Sequence, residues 1–206
     1  NRIRYRSEEF HVKAMELLDP QPEEPSPEEI SPEFQAVKGN LVLKGEEVSP
    51  LLVLRAMNEA NRRGLSLGSG LIWEASKKIE EGGKSLLHDP EAKNLFLNLL
   101  YQPSEPKILR LALELGLITL FIPEFKKIRN LAQFTYYHSE TVDLHSLKTL
   151  ETIHLMARGV HRDRWPLFKQ VYDELKNPEC LFLVGLLHDI GKGYRGEHSA
   201  RGAEIV

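Results

Sequence analysis

One stretch of this sequence constrains the fold more than any other: residues 181–202 read LFLVGLLHDIGKGYRGEHSARG. The stretch opens with an apolar run, and a helix made from such a run is apolar on every side, so we expect it to be buried all round. Asn177 and Pro178 precede the run and are typical of a helix N-cap and first turn. The sequence therefore predicts a buried helix that carries His188 and Asp189 at its end.

The His-Asp pair at the end of this helix indicates a cation site. A buried carboxylate without a partner is costly, and the usual remedy is a cation, a metal or a set of hydrogen bonds. Neutral imidazole together with carboxylate suits Mn, Fe, Zn or Mg. The alternative is that His188 and Asp189 only cap the helix. The glycines, Lys192 and His198 that follow directly favour a site.

Composition bounds the class of protein. Of the 206 residues, 41% are hydrophobic and 28% are charged, which is ordinary for a globular protein with its own core. A net charge of -3 gives no reason to expect nucleic acid or a membrane surface as partner. The single cysteine, Cys180, excludes a disulfide framework and fits a reducing, cytoplasmic compartment. No stretch is apolar over the length of a bilayer, and no signal peptide is visible.

The pattern along the chain predicts an all-α fold with a minor β element. Residues 1–33 read as an amphipathic helix followed by an extended linker, because residues 19–33 contain five prolines and six acids. Apolar residues partly alternate over 34–43, which is the only β signal and predicts a short hairpin or a single strand pair. We expect a helical linker domain over 34–120 and a second helical domain over 121–206.

Start and stop signals delimit the helices of the linker domain. Ser49-Pro50 begins the first, which ends near Gly64, and Gly82-Gly83 ends the second. Asp89-Pro90 begins the third, so His88-Asp89 is interpreted as a helix cap rather than a metal pair. A fourth helix covers 105–115.

A second histidine belongs with the His-Asp pair. His145 lies in the first turn of a helix that opens at Val142, and Asp143 beside it can orient an imidazole. Another helix, from Trp165-Pro166 to about residue 176, separates this one from the His-Asp helix. His138, His154 and His161 are weaker candidates for metal ligands and are interpreted as partly buried or surface histidines.

The ends of these helices can converge. His145, His188 and Asp189 would then share one cation, with His198 in reach from the loop beyond. Lys192 and Arg195 are placed to meet a phosphate. A divalent cation in such a centre activates water for attack on a phosphoester.

The sequence resembles the HD superfamily of metal-dependent phosphohydrolases. This resemblance rests on one histidine, a His-Asp pair distant from it, and the continuation HDIGKG. More narrowly, the sequence is similar to the family of bifunctional PII uridylyltransferase/uridylyl-removing enzymes. The steps that carry this likeness are Pro123-Glu124-Phe125, Tyr137-His138 and Thr141-Val142-Asp143-Leu144-His145, followed by the HD stretch. The likeness covers about residues 34–206, and 121–206 would be the first part of an HD domain.

The resemblance implies a function for the longer protein. In that family a nucleotidyltransferase domain, a helical segment, an HD domain and two ACT domains follow one another. The HD domain removes UMP from a tyrosine of the PII protein when glutamine, sensed by domains outside this sequence, is plentiful. A divalent metal is implied, with Mn or Mg favoured and Fe or Zn as alternatives.

The resemblance also implies roles for single residues. His145, His188 and Asp189 match the metal ligands, and His198 matches a histidine that serves in the second sphere or at a second metal. Lys192 would contact the phosphate, so catalysis is expected to depend on Asp189 and Lys192.

The sequence departs from the family pattern in two respects. It holds no Gly-Ser step followed by an Asp-x-Asp pattern, so the transferase site is absent. No later helix supplies the further aspartate of HD enzymes, so we expect an incomplete metal shell. The sequence starts at Asn1 without methionine and stops at Val206, and we expect a piece of a longer protein.

Two other functions stay open. The first is a different HD phosphohydrolase, or a tRNA nucleotidyltransferase relative, acting on nucleotides or RNA ends, although the negative net charge disfavours RNA. The second is a helical regulatory module whose metal site is silent. Metal content of the purified chain separates the regulatory module from the enzymes.

Overall fold

The computed structural model describes residues 26–102, 106–132 and 140–206. The predicted all-α class is confirmed, with nine α-helices among these residues. The helices are α1 (Pro50–Arg63), α2 (Ser69–Gly82), α3 (Pro90–Tyr101), α4 (Pro106–Glu114), α5 (Leu117–Phe121), α6 (Val142–Ala157), α7 (Pro166–Glu174), α8 (Pro178–Leu187) and α9 (His198–Ile205). Short 3₁₀ helices cover Gly83–His88, Pro123–Lys127 and Ile190–Gly193.

The predicted hairpin is also confirmed. Strands β2 (Phe34–Val37) and β3 (Asn40–Leu43) pair antiparallel, and Lys38 and Gly39 form the turn with φ angles of 49° and 75°. Positive φ at both central residues is the geometry of the tight turns that suit hairpins. The strands β1 (Glu28–Glu29) and β4 (Ser66–Leu67) extend this hairpin to a sheet in the order β1-β2-β3-β4.

Strand β1 lies in the stretch that the sequence assigned to the acidic linker. Glu28 and Glu29 pair antiparallel with β2. The side chain of Lys44 also contacts Glu29, with 2.5 Å between Nζ and Oε1. Edge pairing needs only backbone groups, so an acidic segment can add a short strand. The predicted helix over 1–18 and the first part of the linker lie outside the described residues.

The helix boundaries follow the predicted signals. The Ser49 side chain accepts a hydrogen bond from the backbone of Leu52, and α1 ends at Arg63, where it is capped by Gly64 with a φ of 68°. At α3, Asp89 Oδ1 accepts from the backbone nitrogens of Glu91 and Ala92 at 2.8 and 3.2 Å. The interpretation of His88-Asp89 as a helix cap is therefore confirmed.

One hydrophobic cluster joins helices from both predicted domains. Phe96 of α3 stacks on Phe121 of α5 with 4.3 Å between ring centroids, and Tyr101 of α3 meets Phe182 of α8 at 6.3 Å. The side chains of Arg110 and Glu151 link α4 to α6, with 3.1 Å between Nε and Oε1. The helix that carries His145 is thereby fixed to the preceding bundle. The domain boundary at residue 120 stays a prediction.

The prediction that the His-Asp helix is buried on every side is wrong. Phe182, Gly185 and Leu186 of α8 are buried, but Val184 is 58% exposed and Cys180 is exposed. Apolar residues are allowed at a protein surface, so an apolar sequence does not dictate burial of each face. The neighbouring α7 runs as predicted, from 166 to 174, and buries none of its residues.

Two glycines permit close approaches around the end of α8. A β-carbon at Gly185 would lie 2.5 Å from Ile153 Cδ1, so α8 packs tightly against α6. A β-carbon at Gly191 would lie 2.0 Å from the His198 carbonyl oxygen and 2.7 Å from the Gly202 nitrogen, so the 3₁₀ turn touches the backbone of α9. Among the described residues, every helix is too short or too polar to traverse a lipid bilayer.

We expect Gly191→Ala to destabilise the fold, by about 2 kcal/mol or more, since the added methyl group meets backbone atoms that cannot rotate away. Gly185→Ala is the matched control. Its methyl group would meet the mobile end of Ile153 at 2.5 Å and the Leu150 backbone at 3.6 Å, an ordinary van der Waals distance, and alanine gains about 1 kcal/mol of helix propensity. Urea unfolding of both variants measures the difference, and equal stability of the two would contradict this account of the turn.

Candidate metal centre

The first turn of α6 positions His145. Asp143 in the same turn is 2% exposed, and its Oδ2 lies 3.8 Å from Arg129 Nε. Arg129 also donates a hydrogen bond to the carbonyl oxygen of Leu113 at the end of α4. The contact between Asp143 and Arg129 therefore holds the first turn of α6 against the protein interior. Residues two positions apart point in different directions on a helix, and the side chain of His145 is 41% exposed while that of Asp143 is buried.

The end of α8 positions the other histidine. His188 closes α8, and its Nδ1 lies 3.0 Å from the carbonyl oxygen of Gly185. A carbonyl oxygen only accepts hydrogen bonds, so Nδ1 carries the proton and donates. In the neutral ring the lone pair is then on Nε2, which is the arrangement typical of a metal-ligating histidine.

Asp189 is where the two histidines meet. Its carboxylate is buried, and its Oδ2 lies 3.3 Å from His188 Nε2 and 3.7 Å from His145 Nε2. The two imidazole rings are 5.3 Å apart between centroids, at 66° to one another. The same Oδ2 lies 2.8 Å from Lys192 Nζ.

These three residues fit a divalent metal. One nitrogen of each histidine and one oxygen of Asp189 lie within 4.8 Å of one another. Two imidazoles and a carboxylate form a donor set suited to Mn, Fe, Zn or Mg. Across 26–102, 106–132 and 140–206, His145, His188 and Asp189 are the one such group of at least three residues. The predicted convergence of these three side chains is therefore present in the structure.

Three other predicted site residues lie around this group. Lys192 contacts Asp189 directly, as described above. His198 begins α9 and is exposed, and it does not belong to the group whose ligand atoms converge. Arg195 is exposed in the loop before α9. The roles assigned to His198 and Arg195 stay predictions.

The remaining histidines have other positions. His154 is 5% exposed, so it is more buried than expected; its Nε2 lies 2.7 Å from the Leu100 carbonyl oxygen, and its ring stacks on Phe182 at 4.0 Å. Burial lowers the pKa of His154 to about 4. The ring of His161 meets Trp165 edge to face at 5.4 Å. His138 lies outside the described residues.

The structure adds residues that the sequence reading missed. Lys127 Nζ lies 4.9 Å from the ring centroid of Tyr194, and Arg201 Cζ lies 5.4 Å from it. A β-carbon at Gly193 would lie 2.5 Å from Lys127 Cβ, so the 3₁₀ helix before α6 touches the turn that follows Asp189. No periodicity or motif connects residues so distant in sequence, and only packing reveals the contact.

Comparison with known proteins agrees with this geometry. The sequence of residues 142–206 matches the HD domain family. This segment contains helices α6 to α9 and all three residues of the candidate metal centre. The segment that carries the candidate metal centre is therefore similar to HD domains.

Most of the chain is similar to proteins named bifunctional uridylyltransferase/uridylyl-removing enzyme. The relative from Ruegeria pomeroyi is 32% identical over 177 residues, which is 84% of this chain and 20% of the relative. The relative from Azospirillum brasilense is 33% identical over 158 residues, 76% of this chain and 17% of the relative. That from Cereibacter sphaeroides is 31% identical over 178 residues, 84% of this chain and 19% of the relative.

These matches confirm the resemblance inferred from the sequence motifs. The matches also show how much of each relative the resemblance covers: the chain spans about a fifth of the length of the curated relatives it matches. The likeness therefore concerns one segment of those proteins.

We expect His145→Ala, His188→Ala and Asp189→Asn each to weaken binding of Mn²⁺ at least about tenfold, because each removes a donor from a small set. Isothermal titration calorimetry on the chelator-treated chain measures this. His161→Ala is the control, since His161 lies on Trp165 and outside the group. Unchanged affinity in all three ligand variants would contradict the assignment.

Stability should fall in acid because of His154. Its pKa of about 4 in the folded protein lies below the ordinary 6.5, so the unfolded chain takes up the proton first as the pH falls. The stabilisation is complete above pH 6.5 and is lost toward pH 4, at roughly 1.4 kcal/mol per pH unit at most. Urea unfolding at several pH values tests this. His154→Gln should show a flatter profile over that window, and parallel profiles would refute it.

Proposed function

We propose that this chain carries part of a metal-dependent phosphohydrolase centre that, in a longer protein, removes UMP from the uridylylated PII protein. The observation that carries the proposal is the convergence of His145, His188 and Asp189 within a segment that matches the HD domain family. The names of the relatives supply the uridylyl-removing activity. They favour this function over the other HD phosphohydrolases and over a silent module.

The side chains of the site have distinct tasks in this reaction. His145, His188 and Asp189 would hold the divalent ion, and the hydrogen bond from His188 Nδ1 to Gly185 keeps Nε2 directed to the site. When bound, such an ion polarises a phosphoryl oxygen and acidifies water. Lys192, three residues after Asp189 on the 3₁₀ turn, supplies a positive charge that stabilises negative charge developing on the phosphate.

The reaction is hydrolysis of a phosphodiester. Water adds to phosphorus, the bond between phosphorus and the tyrosine oxygen breaks, and the tyrosine oxygen regains a proton. The products are UMP and the unmodified PII protein. Glutamine would regulate this activity through domains outside the chain, and uridylyl transfer would take place in another domain.

We expect His188→Ala and Asp189→Asn, made in the full-length enzyme, to abolish removal of UMP from PII, while uridylyl transfer continues. Both substitutions remove a metal donor of the proposed hydrolase site, and neither alters the domain proposed to carry out uridylyl transfer. The measurement is an assay of both directions on PII protein, with metal content determined for each variant. His161→Ala serves again as the control that alters a histidine of the same domain.

The outcomes separate the alternatives. Persistence of deuridylylation near the wild-type rate in both variants would show that the site has another role. Loss of transfer instead of removal would mean that the two activities are assigned to the wrong domains.

A further inference from the structure

We propose that Lys192 is a built-in competitor of the metal: its ammonium group neutralises Asp189 until a divalent cation binds and displaces it. The proposal rests on the metal centre of the proposed function and adds a regulatory step to it. A role as phosphate contact alone does not require any contact between Lys192 and Asp189.

The geometry that carries the inference is the convergence of three nitrogens on one oxygen. Asp189 Oδ2 lies 3.3 Å from His188 Nε2, 3.7 Å from His145 Nε2 and 2.8 Å from Lys192 Nζ. Both candidate metal donors on the histidines therefore face the same carboxylate oxygen that the ammonium group contacts. A metal held by the two imidazoles would also bind this carboxylate oxygen. The metal and the Lys192 ammonium group therefore compete for the lone pairs of Asp189 Oδ2.

The surroundings make this competition strong. The Asp189 side chain is 9% exposed and that of Lys192 is 21% exposed, so water screens the pair poorly. A buried carboxylate without a counter-charge is unfavourable, and the lysine supplies that charge within its own turn. Two cations on one carboxylate repel each other strongly at such distances. Binding of the metal therefore favours departure of the ammonium group.

Displacement would couple the metal to the substrate. The ammonium group that leaves Asp189 stays on the 3₁₀ turn Ile190–Gly193, next to the metal group. There it can meet a phosphate anion. By linkage, a phosphate that attracts Lys192 away from Asp189 strengthens binding of the metal to the same degree.

The chain offers a matched control for charge. Lys127 lies against the same turn, with the close approach of its Cβ to Gly193, and its ammonium group lies over the ring of Tyr194. Removal of the Lys127 charge changes the local field without changing the contact at Asp189.

The experiment compares Lys192→Met, Lys127→Met and the wild-type chain by isothermal titration with Mn²⁺ after chelation. Methionine keeps the apolar stem and removes the charge. We expect Lys192→Met to bind Mn²⁺ about tenfold more tightly, because a hydrogen bond between charged groups no longer opposes the metal. Lys127→Met should bind as the wild type does, within about twofold.

A second measurement needs no metal. In the presence of chelator, urea unfolding of Lys192→Met, Asp189→Asn and the double variant forms a thermodynamic cycle. We expect the two single substitutions each to lower the unfolding midpoint and their effects to be non-additive. An additive cycle would show that the pair does not interact in the metal-free protein and would overturn the inference.

The outcomes distinguish this inference from the proposed function. If the wild type binds Mn²⁺ and Lys192→Met binds no more tightly, the competitor role is wrong and the metal centre stands. Equal tightening by both lysine substitutions would assign the effect to general charge and also overturn it. If neither the wild type nor either variant binds Mn²⁺, the metal centre itself fails, and the inference with it.

Discussion

The buried carboxylate of Asp189 is the feature on which the rest of the site depends. A carboxylate in this position needs positive or hydrogen-bonding partners, and the fold supplies two imidazoles and an ammonium group around one of its oxygens. These partners come from two helices and one 3₁₀ turn. The position of each element is therefore tied to the same atom.

Close packing makes that convergence available. Gly185 lets α8 lie against α6, and Gly191 lets the turn after Asp189 lie against the backbone of α9. The anchor of Asp143 to Arg129 holds the first turn of α6 from the other side. A metal centre built from ends of helices needs such fixed approaches, because small displacements of a ligand impair binding and catalysis.

Much of the fold could be predicted from the sequence, because local signals such as helix caps determine where the helices of this chain begin and end. Serine or aspartate followed by proline placed the starts of α1 and α3 correctly, Gly64 marked the end of α1, and the partial alternation of apolar residues over 34–43 indicated the hairpin. The predicted burial of α8 on every side was wrong, because burial depends on the elements that pack against a helix. Val184 is exposed although its helix is apolar all round, since burial is decided by what packs on a face and not by the residues of that face.

The sequence by itself determined the chemistry of the candidate centre: the order of His145, His188 and Asp189 and the HDIGKG continuation identify these residues as candidate metal donors. Only the tertiary structure decided that Lys192 contacts the carboxylate, that His198 begins α9 outside the ligand group, and that Lys127 meets Tyr194. The reason is physical. A motif specifies which donors are present, whereas distances between donors on different helices depend on how those helices pack.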